Sequence, residues 1–373
     1  MAKHAAAYVL AALCLLLVLA ATDAEATQTH QPLVPAMFVF GDSTVDVGNN
    51  NNLRRSIAKA NFRPYGIDFP RSTPTGRFSN GFNTADLLAQ LLGFPMSPPA
   101  YLSLTGGTLR SQMYKGINFA SGGSGLADET GRLLFGQVIP MSLQLDYFAS
   151  VVEHMTKQSG SRRTASLLCK SIFFISTGSN DMFQYSISRS APGNDYAFLR
   201  GFVAAYKSYI TALYKLGARK FSLVSVPALG CIPSQRLRRL NETGTQGCYD
   251  PLNDLSLRSY PMLAAMLQEL AHELPGMSYS LGDSFAMVSF VFTNPRTKDW
   301  NFKVLVAACC GGGPFGAAYP CDKSAPLCGD RDEYLFWDAN HPTQAASAIA
   351  AQTLFAGDRT FVNPINVKEL ALL

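Results

Sequence analysis

Three short segments of the chain are rich in apolar residues on both faces, and a glycine or proline follows each within two residues. They span residues 36–40, 171–176 and 221–226. A strand with one face in water alternates apolar and polar residues, whereas a strand covered on both faces is apolar nearly throughout. The three segments therefore predict buried strands of a parallel sheet.

Helical patterns separate the predicted strands. They span residues 84–92, 143–155, 195–216 and 345–355, and a further pattern covers residues 255–274. Pro261 lies inside that last pattern and predicts that its helix is kinked or begins there. The alternation of strands and helices, without a repeat or a low-complexity linker, favours one α/β domain over roughly residues 34–360.

The first residues have the pattern of a targeting segment. Lys3 supplies a positive charge, residues 5–21 are continuously apolar, and residues 24–26 fit a small-x-small cleavage site. The pattern predicts a secretory signal peptide over residues 1–26 and a single mature domain over residues 27–373. The alternative is an N-terminal membrane anchor, but about 17 apolar residues lie at the lower edge for a span. No later stretch is apolar and long enough, so no stable membrane span is expected.

The cysteines fit the same compartment. Of eight in the chain, six lie beyond residue 230. They are Cys231, Cys248, Cys309, Cys310, Cys321 and Cys328. In an oxidising compartment we expect Cys231 to pair with Cys248 and the other four to form two bridges, for which three connectivities exist. Cys169, just before a predicted strand, is expected to be a buried free thiol. A zinc site is the alternative, but no histidine is spaced with these cysteines.

Composition and charge exclude two classes of protein. Hydrophobic residues make up 47% of the chain and charged residues only 15%, which argues against intrinsic disorder and predicts a large core. The net charge is +5, and the densest basic cluster, residues 236–239, is too short to cover a nucleic acid. No nucleic-acid partner is therefore expected.

Ser43 is the first candidate for a functional residue. The tripeptide Gly41-Asp42-Ser43 directly follows the first predicted strand, and ligands bind at the carboxyl ends of strands in α/β sheets. A serine that opens a helix there has the exposure that an acyl-transfer nucleophile needs. The alternative is an ordinary N-cap serine. The same tripeptide recurs with Ser284, so on its own it favours the N-cap.

A serine nucleophile needs a base, and the chain has five histidines: His4, His30, His154, His272 and His341. The first two lie in the predicted signal peptide and the adjoining tail, and the next two lie on charged helical patterns that predict solvent exposure. His341 differs because Asp338, three residues earlier, can orient its imidazole. The alternative is a surface turn that Asp338 caps.

Two further blocks of the sequence contain candidate functional residues. Residues 118–125 form a glycine-rich turn that can present backbone N–H groups, although the turn lacks the lysine of a phosphate-binding loop. Residues 178–181 follow the second strand, and Asn180 among them can donate its amide to a developing oxyanion. A helix cap is the alternative for this asparagine.

Together these blocks resemble the GDSL or SGNH hydrolase family, specifically its secreted plant branch. The resemblance covers about residues 35–363, with residues 38–50 as the first block and residues 74–81 as a segment typical of that branch. It implies a three-layer α/β/α sandwich with a flavodoxin-like parallel sheet. No Gly-x-Ser-x-Gly occurs, which disfavours the ordinary α/β-hydrolase fold.

The resemblance also implies residue roles. Ser43 would be the nucleophile, His341 the general base and Asp338 the carboxylate that orients it. The oxyanion hole would consist of the Ser43 N–H, the Gly123 N–H and the Asn180 side chain, and no metal or organic cofactor would be required. By the order of the blocks, Ser284 belongs to a decoy tripeptide. Thr44 replaces the leucine that names the motif, at a variable position, and we do not interpret it as a loss of activity.

The resemblance implies an esterase of the secretory pathway, acting on a small-molecule, lipid or polysaccharide ester. No lid-like amphipathic segment is evident in the sequence, and we interpret the substrate as an acetyl ester of a cell-wall polysaccharide such as xylan. The alternatives are a lipid acyl hydrolase, a cutin-type acyltransferase and a non-catalytic wall-binding protein. The location would be the extracellular space or cell wall, or a secretory-pathway lumen such as the Golgi.

One sequon is present at Asn241-Glu242-Thr243. It falls between Cys231 and Cys248 in a segment whose polarity predicts a loop. In a secreted chain, Asn241 is therefore expected to carry a glycan.

Overall fold

Two sheets organise the computed structural model of the protein, which describes residues 31–188 and 194–373. The strands are β1 (Met37–Gly41), β2 (Ile172–Ser176), β3 (Lys220–Val224), β4 (Ser278–Gly282), β5 (Val304–Ala308), β6 (Tyr334–Phe336) and β7 (Val362–Pro364). The central sheet has the order β1-β2-β3-β4-β7, and β5 pairs with β6 in a small second sheet. Residues Leu33–Leu373 group into one compact unit. The predicted signal peptide lies outside the described residues.

The central sheet is mostly parallel. Strands β1 to β4 pair in parallel, and β7 adds an antiparallel edge beside β4. The three predicted strands are confirmed as β1, β2 and β3. Strand β4 has no continuous apolar run, because serines alternate with its larger residues, and the sequence patterns therefore gave no prediction for it.

A short extended segment on the outer side of β1 completes the predicted arrangement. The Val39 N–H donates to the Ile117 carbonyl at 3.1 Å, and the Phe119 N–H donates to the Val39 carbonyl at 2.8 Å. When this segment is counted as the second strand of the chain, the parallel strands have the order 2-1-3-4-5. That is the flavodoxin order, so the predicted sheet type is confirmed.

Twelve α-helices lie within the described residues. They are α1 (Thr84–Leu91), α2 (Gly106–Gln112), α3 (Arg132–Phe135), α4 (Met141–Ser159), α5 (Ser161–Leu168), α6 (Ser179–Ser188), α7 (Asp195–Lys215), α8 (Pro233–Thr243), α9 (Asp250–Glu273), α10 (Ser284–Thr293), α11 (Gln344–Ala356) and α12 (Val367–Leu372). The four predicted helices over residues 84–92, 143–155, 195–216 and 345–355 are confirmed as α1, α4, α7 and α11.

Of the two alternatives predicted for the helix around Pro261, a start at the proline is wrong. Helix α9 begins at Asp250, about three turns before Pro261, and continues through it. Leu252 and Leu255 are buried, so the apolar stripe that packs on the sheet starts before the proline. Pro251 in the first turn suits the start of a helix, because its missing N–H would have no partner there.

The sheet separates two apolar cores. Along β1, Phe38 and Phe40 enter a core with α4, α7 and α9, whereas Met37 and Val39 enter a second core with α1, α11 and α12. Strand β2 divides its side chains between the same two cores. Because successive side chains of a strand point to opposite faces, β1 and β2 place apolar side chains on both faces of the sheet. The predicted three-layer α/β/α sandwich is therefore confirmed.

Three disulfides join the six late cysteines. The pairs are Cys231–Cys248, Cys309–Cys328 and Cys310–Cys321. The connectivity that the sequence left open is thus a nested pair of bridges after β5. Cys169 is free, as predicted, but it is half-exposed rather than buried, because it caps the end of α5 after the buried Leu168.

Gly41 at the end of β1 occupies a position that only glycine fits. Its φ is +144°, and a Cβ there would lie 1.9 Å from the Ser176 carbonyl oxygen of the neighbouring strand. The buried Gln144 of α4 holds the same residue, accepting from the Gly41 N–H and donating to the Gly41 carbonyl, each at 2.9 Å. The strand end that precedes Ser43 is therefore fixed by sterics and by hydrogen bonds.

We predict that Gly41→Ala lowers the free energy of unfolding by about 3 kcal/mol, because both the strained φ and the overlap with strand β2 act against it. Gly201→Ala is the matched control, because Gly201 is exposed in α7 and a Cβ there has open space. That variant should be stabilised by up to about 1 kcal/mol. Chemical denaturation of both variants measures the difference, and equal stabilities would contradict this account of Gly41.

Candidate active site

The turn after β1 places Ser43 at the carboxyl end of the sheet. The Asp42 N–H donates to the Ser176 carbonyl at 3.0 Å, and the buried Asp42 carboxylate accepts from the N–H and the hydroxyl of Thr44 at 2.9 and 2.7 Å. These bonds fix the residues on both sides of Ser43. The Ser43 side chain is left half-buried at the wall of a large cavity.

Ser43, His341 and Asp338 form a continuous hydrogen-bonded chain. The Ser43 Oγ lies 2.8 Å from the His341 Nε2, and the His341 Nδ1 lies 2.8 and 2.9 Å from the two Asp338 carboxylate oxygens. The Asp338 carboxylate also accepts from the backbone N–H groups of Asn340 and His341, each at 2.8 Å. Asp338 therefore caps its own turn and also contacts the imidazole. The turn is not a surface feature, since the Asp338 and His341 side chains are 7% and 13% exposed.

Tyr65 is a fourth member of this group that sequence reasoning missed. Its hydroxyl donates to the Asp338 Oδ2 at 2.8 Å, and its ring packs edge-on against Phe78 and Trp337. The two residues of that hydrogen bond are 273 positions apart, so no local motif could join them. Burial and the Asp338 charge raise the pKa of Tyr65 well above its usual value, so its hydroxyl remains a donor.

The charges of Asp338 and His341 favour each other. Burial alone raises the pKa of Asp338, but attraction to His341 and several hydrogen bonds outweigh it, so the pKa is lowered. Burial likewise lowers the pKa of His341, but the Asp338 charge and hydrogen bond outweigh it, and the pKa is raised above its usual 6.5. This pair is therefore arranged to stabilise an imidazolium when His341 takes up a proton.

Two backbone N–H groups near Ser43 have no acceptor among the described residues. They belong to Ser43 itself and to Gly123, while the flanking Gly122 N–H donates to the Asp46 carboxylate at 3.0 Å and the Ser124 N–H donates to the Ser121 carbonyl at 3.1 Å. Ser43 and Gly123 both line the cavity. This distinguishes Gly123 from its neighbouring glycine as the residue with a donor to offer.

Asn180 approaches from the end of β2. Its amide donates to the Ser124 carbonyl at 2.9 Å, which uses one of its two N–H bonds, and its side chain lines the same cavity as Ser43. Ser43, Gly123 and Asn180 therefore all line the same cavity. Their joint role as an oxyanion hole stays a prediction.

The Gly122–Gly123 peptide is held from behind by Asn50. The Asn50 amide donates to the Gly122 carbonyl at 2.8 Å and to the Ala58 carbonyl at 3.0 Å, and its oxygen accepts from the Ser121 hydroxyl at 2.5 Å. In a trans peptide the C=O and the following N–H point in opposite directions. A donor that holds the Gly122 carbonyl therefore also orients the Gly123 N–H, away from Asn50.

The cavity beside Ser43 is large and mostly apolar. It has a volume of about 900 Å³. Its apolar lining includes Phe62, Phe78, Phe135, Phe183, Met287, Phe290, Val291, Phe302 and Leu335. The Phe78 ring lies 5.0 Å from the His341 ring. The apolar lining therefore extends as far as the imidazole of the hydrogen-bonded chain.

The second tripeptide, which contains Ser284, has a different local role. Asp283 caps α10 by accepting from the Ala286 N–H at 3.0 Å, and the Ser284 N–H donates to the Ser225 hydroxyl. Ser284 lines the cavity but hydrogen-bonds to no histidine of the described residues. His154 and His272 are exposed on α4 and α9, as predicted.

The prediction that the sequon lies in a loop is wrong. Asn241 is exposed, but it lies in the last turns of α8 rather than in a loop, because the polar segment after Pro233 forms an amphipathic helix on the protein surface. Its glycosylation stays a prediction.

None of the helices in residues 31–188 and 194–373 combines the length and apolarity that a membrane crossing requires. Those residues contain no cluster of three or more His, Cys, Asp or Glu side chains suited to a metal ion.

Comparison with known proteins extends over nearly the whole chain. The sequence model of the GDSL-like lipase/acylhydrolase family matches residues 37–354. GDSL esterase/lipase 7 of Arabidopsis thaliana is 38% identical over 356 residues, which cover 93% of this chain and 94% of the relative. Two further Arabidopsis thaliana GDSL esterase/lipases are 38% and 36% identical over 92% and 91% of this chain, and over 93% and 92% of their own lengths. The chain therefore belongs to the GDSL lipase/acylhydrolase family and is a carboxylic ester hydrolase.

Proposed function

We propose that this protein hydrolyses esters of apolar acyl groups longer than acetyl, using Ser43, His341 and Asp338. The cavity carries the proposal for the substrate. About 900 Å³ is the size that holds a drug-sized ligand, and an acetyl group would leave most of it empty. Since the lining is chiefly phenyl and aliphatic, each additional methylene that enters should bind more tightly.

A second candidate is the acetyl ester of a wall polysaccharide that the sequence suggested. One observation favours it, an aromatic group in the cavity lining in which Phe290 contacts both Trp300 and Phe361 edge-on. Exposed aromatic rings can pack against the apolar faces of sugars. The length of the preferred acyl group separates the two candidates.

The first chemical step forms an acyl-enzyme. Ser43 Oγ attacks the ester carbonyl carbon while its proton passes to the His341 Nε2, 2.8 Å away. Asp338 stabilises the resulting imidazolium and keeps the ring in the required tautomer. The carbonyl oxygen becomes an oxyanion that accepts from the Ser43 N–H, the Gly123 N–H and the Asn180 amide.

The oxyanion then collapses and the alcohol leaves with the proton from the His341 Nε2, which completes the acyl-enzyme. The second step releases the acid. A water molecule loses a proton to the same nitrogen as it attacks the acyl carbonyl carbon, and the new oxyanion expels the Ser43 Oγ, which takes the proton back from His341. An acyltransferase would replace that water by a hydroxyl acceptor. Product analysis with an added alcohol distinguishes the two outcomes.

We further propose that the protein is secreted or retained in a secretory-pathway lumen, with a glycan on Asn241. Three disulfides support an oxidising compartment. The exposure of Asn241 makes its amide accessible to modification. A mobility shift of the plant-expressed protein on glycosidase treatment tests the glycan.

The acyl-chain series tests the proposed substrate. We expect kcat/KM for p-nitrophenyl esters to rise from acetate through butyrate to octanoate, by up to about fourfold for each buried methylene. Acetylated xylan should be hydrolysed poorly in the same assay. A preference for acetate and rapid release of acetate from xylan would contradict the proposal and favour the second candidate.

Two serine variants serve as controls for that series. Ser43→Ala should lose about a millionfold in kcat, as expected when a nucleophile is removed from such a triad. Ser284→Ala is matched, since Ser284 follows a strand in the same tripeptide and lines the same cavity, and it should retain most of the activity.

The pH dependence tests the role of Asp338. Because His341 must be neutral to accept the Ser43 proton, kcat/KM should rise with pH through an inflection above 6.5. Asp338→Asn removes the charge that raises the pKa of His341 and leaves the burial that lowers it. We therefore expect the inflection to move to lower pH and kcat to fall by about ten-thousandfold. An unchanged inflection in the pH–rate profile would exclude this role for Asp338.

We predict that Asn50→Ala lowers kcat by about tenfold to a hundredfold with little change in KM, because a freed Gly122–Gly123 peptide weakens an oxyanion donor that acts mainly in the transition state. Asn49→Ala is the matched control. Asn49 is equally buried in the same turn, but its amide donates to the Asn118 and Ala120 carbonyls instead. It should lose stability to a similar degree with a smaller loss in kcat. Equal losses in kcat would reduce Asn50 to a structural role.

A further inference from the structure

Two paired segments contribute residues to the lining of the cavity. Residues 54–57 lie antiparallel to the segment after α3 (Arg132–Phe135): the Ile57 N–H donates to the Phe135 carbonyl at 3.0 Å, and the Gln137 N–H donates to the Arg55 carbonyl at 3.2 Å. We call residues 54–57 together with α3 the rim surface. Its backbone is hydrogen-bonded to itself, so its outward side chains have a defined arrangement.

The rim surface exposes large apolar side chains. Leu133 is 93% exposed, Ile57 74% and Leu134 48%, and the last two also line the cavity. Exposed apolar groups that continue into a binding cavity mark an interaction surface rather than random surface composition. The sequence did not reveal this segment, because α3 is a single turn too short for an amphipathic pattern.

Three arginines belong to the same rim surface. Arg54, Arg55 and Arg132 are exposed, and none forms an ion pair within residues 31–188 and 194–373. Glu129, the nearest acidic residue along the chain to α3, also forms none there. A surface with apolar side chains among unpaired arginines suits a lipid interface whose headgroups are anionic.

We infer that the rim surface docks the enzyme on an anionic lipid–water interface, with Leu133 inserted and the arginines at the headgroups. The inference rests on the proposed apolar substrate, since an acyl chain could then pass from the lipid into the cavity without crossing water. The rim surface also lies close to Gly123, one of the proposed oxyanion donors. The Phe135 ring lies 2.5 Å from the place that a Cβ on Gly123 would occupy.

Vesicle flotation tests the inference, with Ser43→Ala as the parent so that binding is measured without hydrolysis. The probes are vesicles of phosphatidylcholine alone and vesicles that also contain phosphatidylserine. The parent should bind the anionic vesicles more tightly, and salt should weaken that binding. Leu133→Asp should bind at least about tenfold more weakly to both kinds. Arg55→Gln and Arg132→Gln should each lose about fivefold on anionic vesicles only.

Leu257→Asp is the matched control, because Leu257 is a leucine of α9 that is 54% exposed and does not line the cavity. It should bind like the parent. In the active enzyme, Leu133→Asp should hydrolyse soluble short esters normally but vesicle-borne esters slowly.

Three results would overturn the inference. They are a parent that binds neither vesicle, a Leu133→Asp variant that binds as tightly as Leu257→Asp, and self-association of the free protein that Leu133→Asp abolishes, since a second copy would then cover the surface. A preference for acetate on soluble esters would instead overturn the proposed substrate. The two failures are distinguishable, because binding is measured on an inactive variant and chain preference without vesicles.

Discussion

The in-register parallel pairing of β1 with β2 is the constraint on which the site depends. It runs from Met37 opposite Ile172 to Gly41 opposite Ser176, so both strands end at the same level. Ser43 follows one end by two residues and Asn180 follows the other by four. The Gly123 loop leaves the extended segment on the outer side of β1. Groups far apart in sequence therefore meet because their strands end together, as is general for ligand sites in parallel sheets.

His341 comes from outside the central sheet and depends on a second support. The Trp337 N–H donates to the His341 carbonyl at 2.8 Å, and the Cys310 N–H donates to the Trp337 carbonyl at 2.7 Å. Cys310 and the adjacent Cys309 anchor two of the disulfides. Crosslinks that reduce the freedom of a glycine-rich loop therefore lie two hydrogen bonds from the His341 backbone. A displacement of about 1 Å in a group that takes part in catalysis can lower the rate strongly.

The local sequence patterns predicted the features that depend on neighbouring residues in the chain, such as the buried strands. The apolarity of β1, β2 and β3 follows from burial on both faces. The resemblance to the GDSL family, rather than any local pattern, indicated that Ser43, Asn180 and His341 meet. What the sequence did not indicate depends on tertiary contacts. Tyr65 reaches Asp338 across 273 positions. The serines of β4 interrupt the apolar pattern by which a central strand is predicted. Leu133 belongs to a single helical turn, which is too short for a helical periodicity to be detected.

Two buried carboxylates next to the site lower the free energy of unfolding when they are ionised. Burial raises the pKa of both Asp42 and Asp46 to about 6, against their hydrogen bonds, from a usual 3.8. Raised values mean that the folded state disfavours the charged form. The cost is absent below pH 3.8, grows as the pH rises and is complete above about 6, at about 3 kcal/mol for each group.

Asp46 shows why an amide could not replace such a carboxylate. One of its oxygens accepts from the N–H groups of Gly48 and Asn49, and the other accepts from Gly122. An asparagine offers a single acceptor oxygen, and its NH2 group would face one of these donors. Asp42 precedes Ser43 and Asp46 holds Gly122, so the two destabilising charges adjoin the two N–H groups that we propose for the oxyanion hole. Stability lost at these positions is consistent with selection for the geometry of the site rather than for the fold.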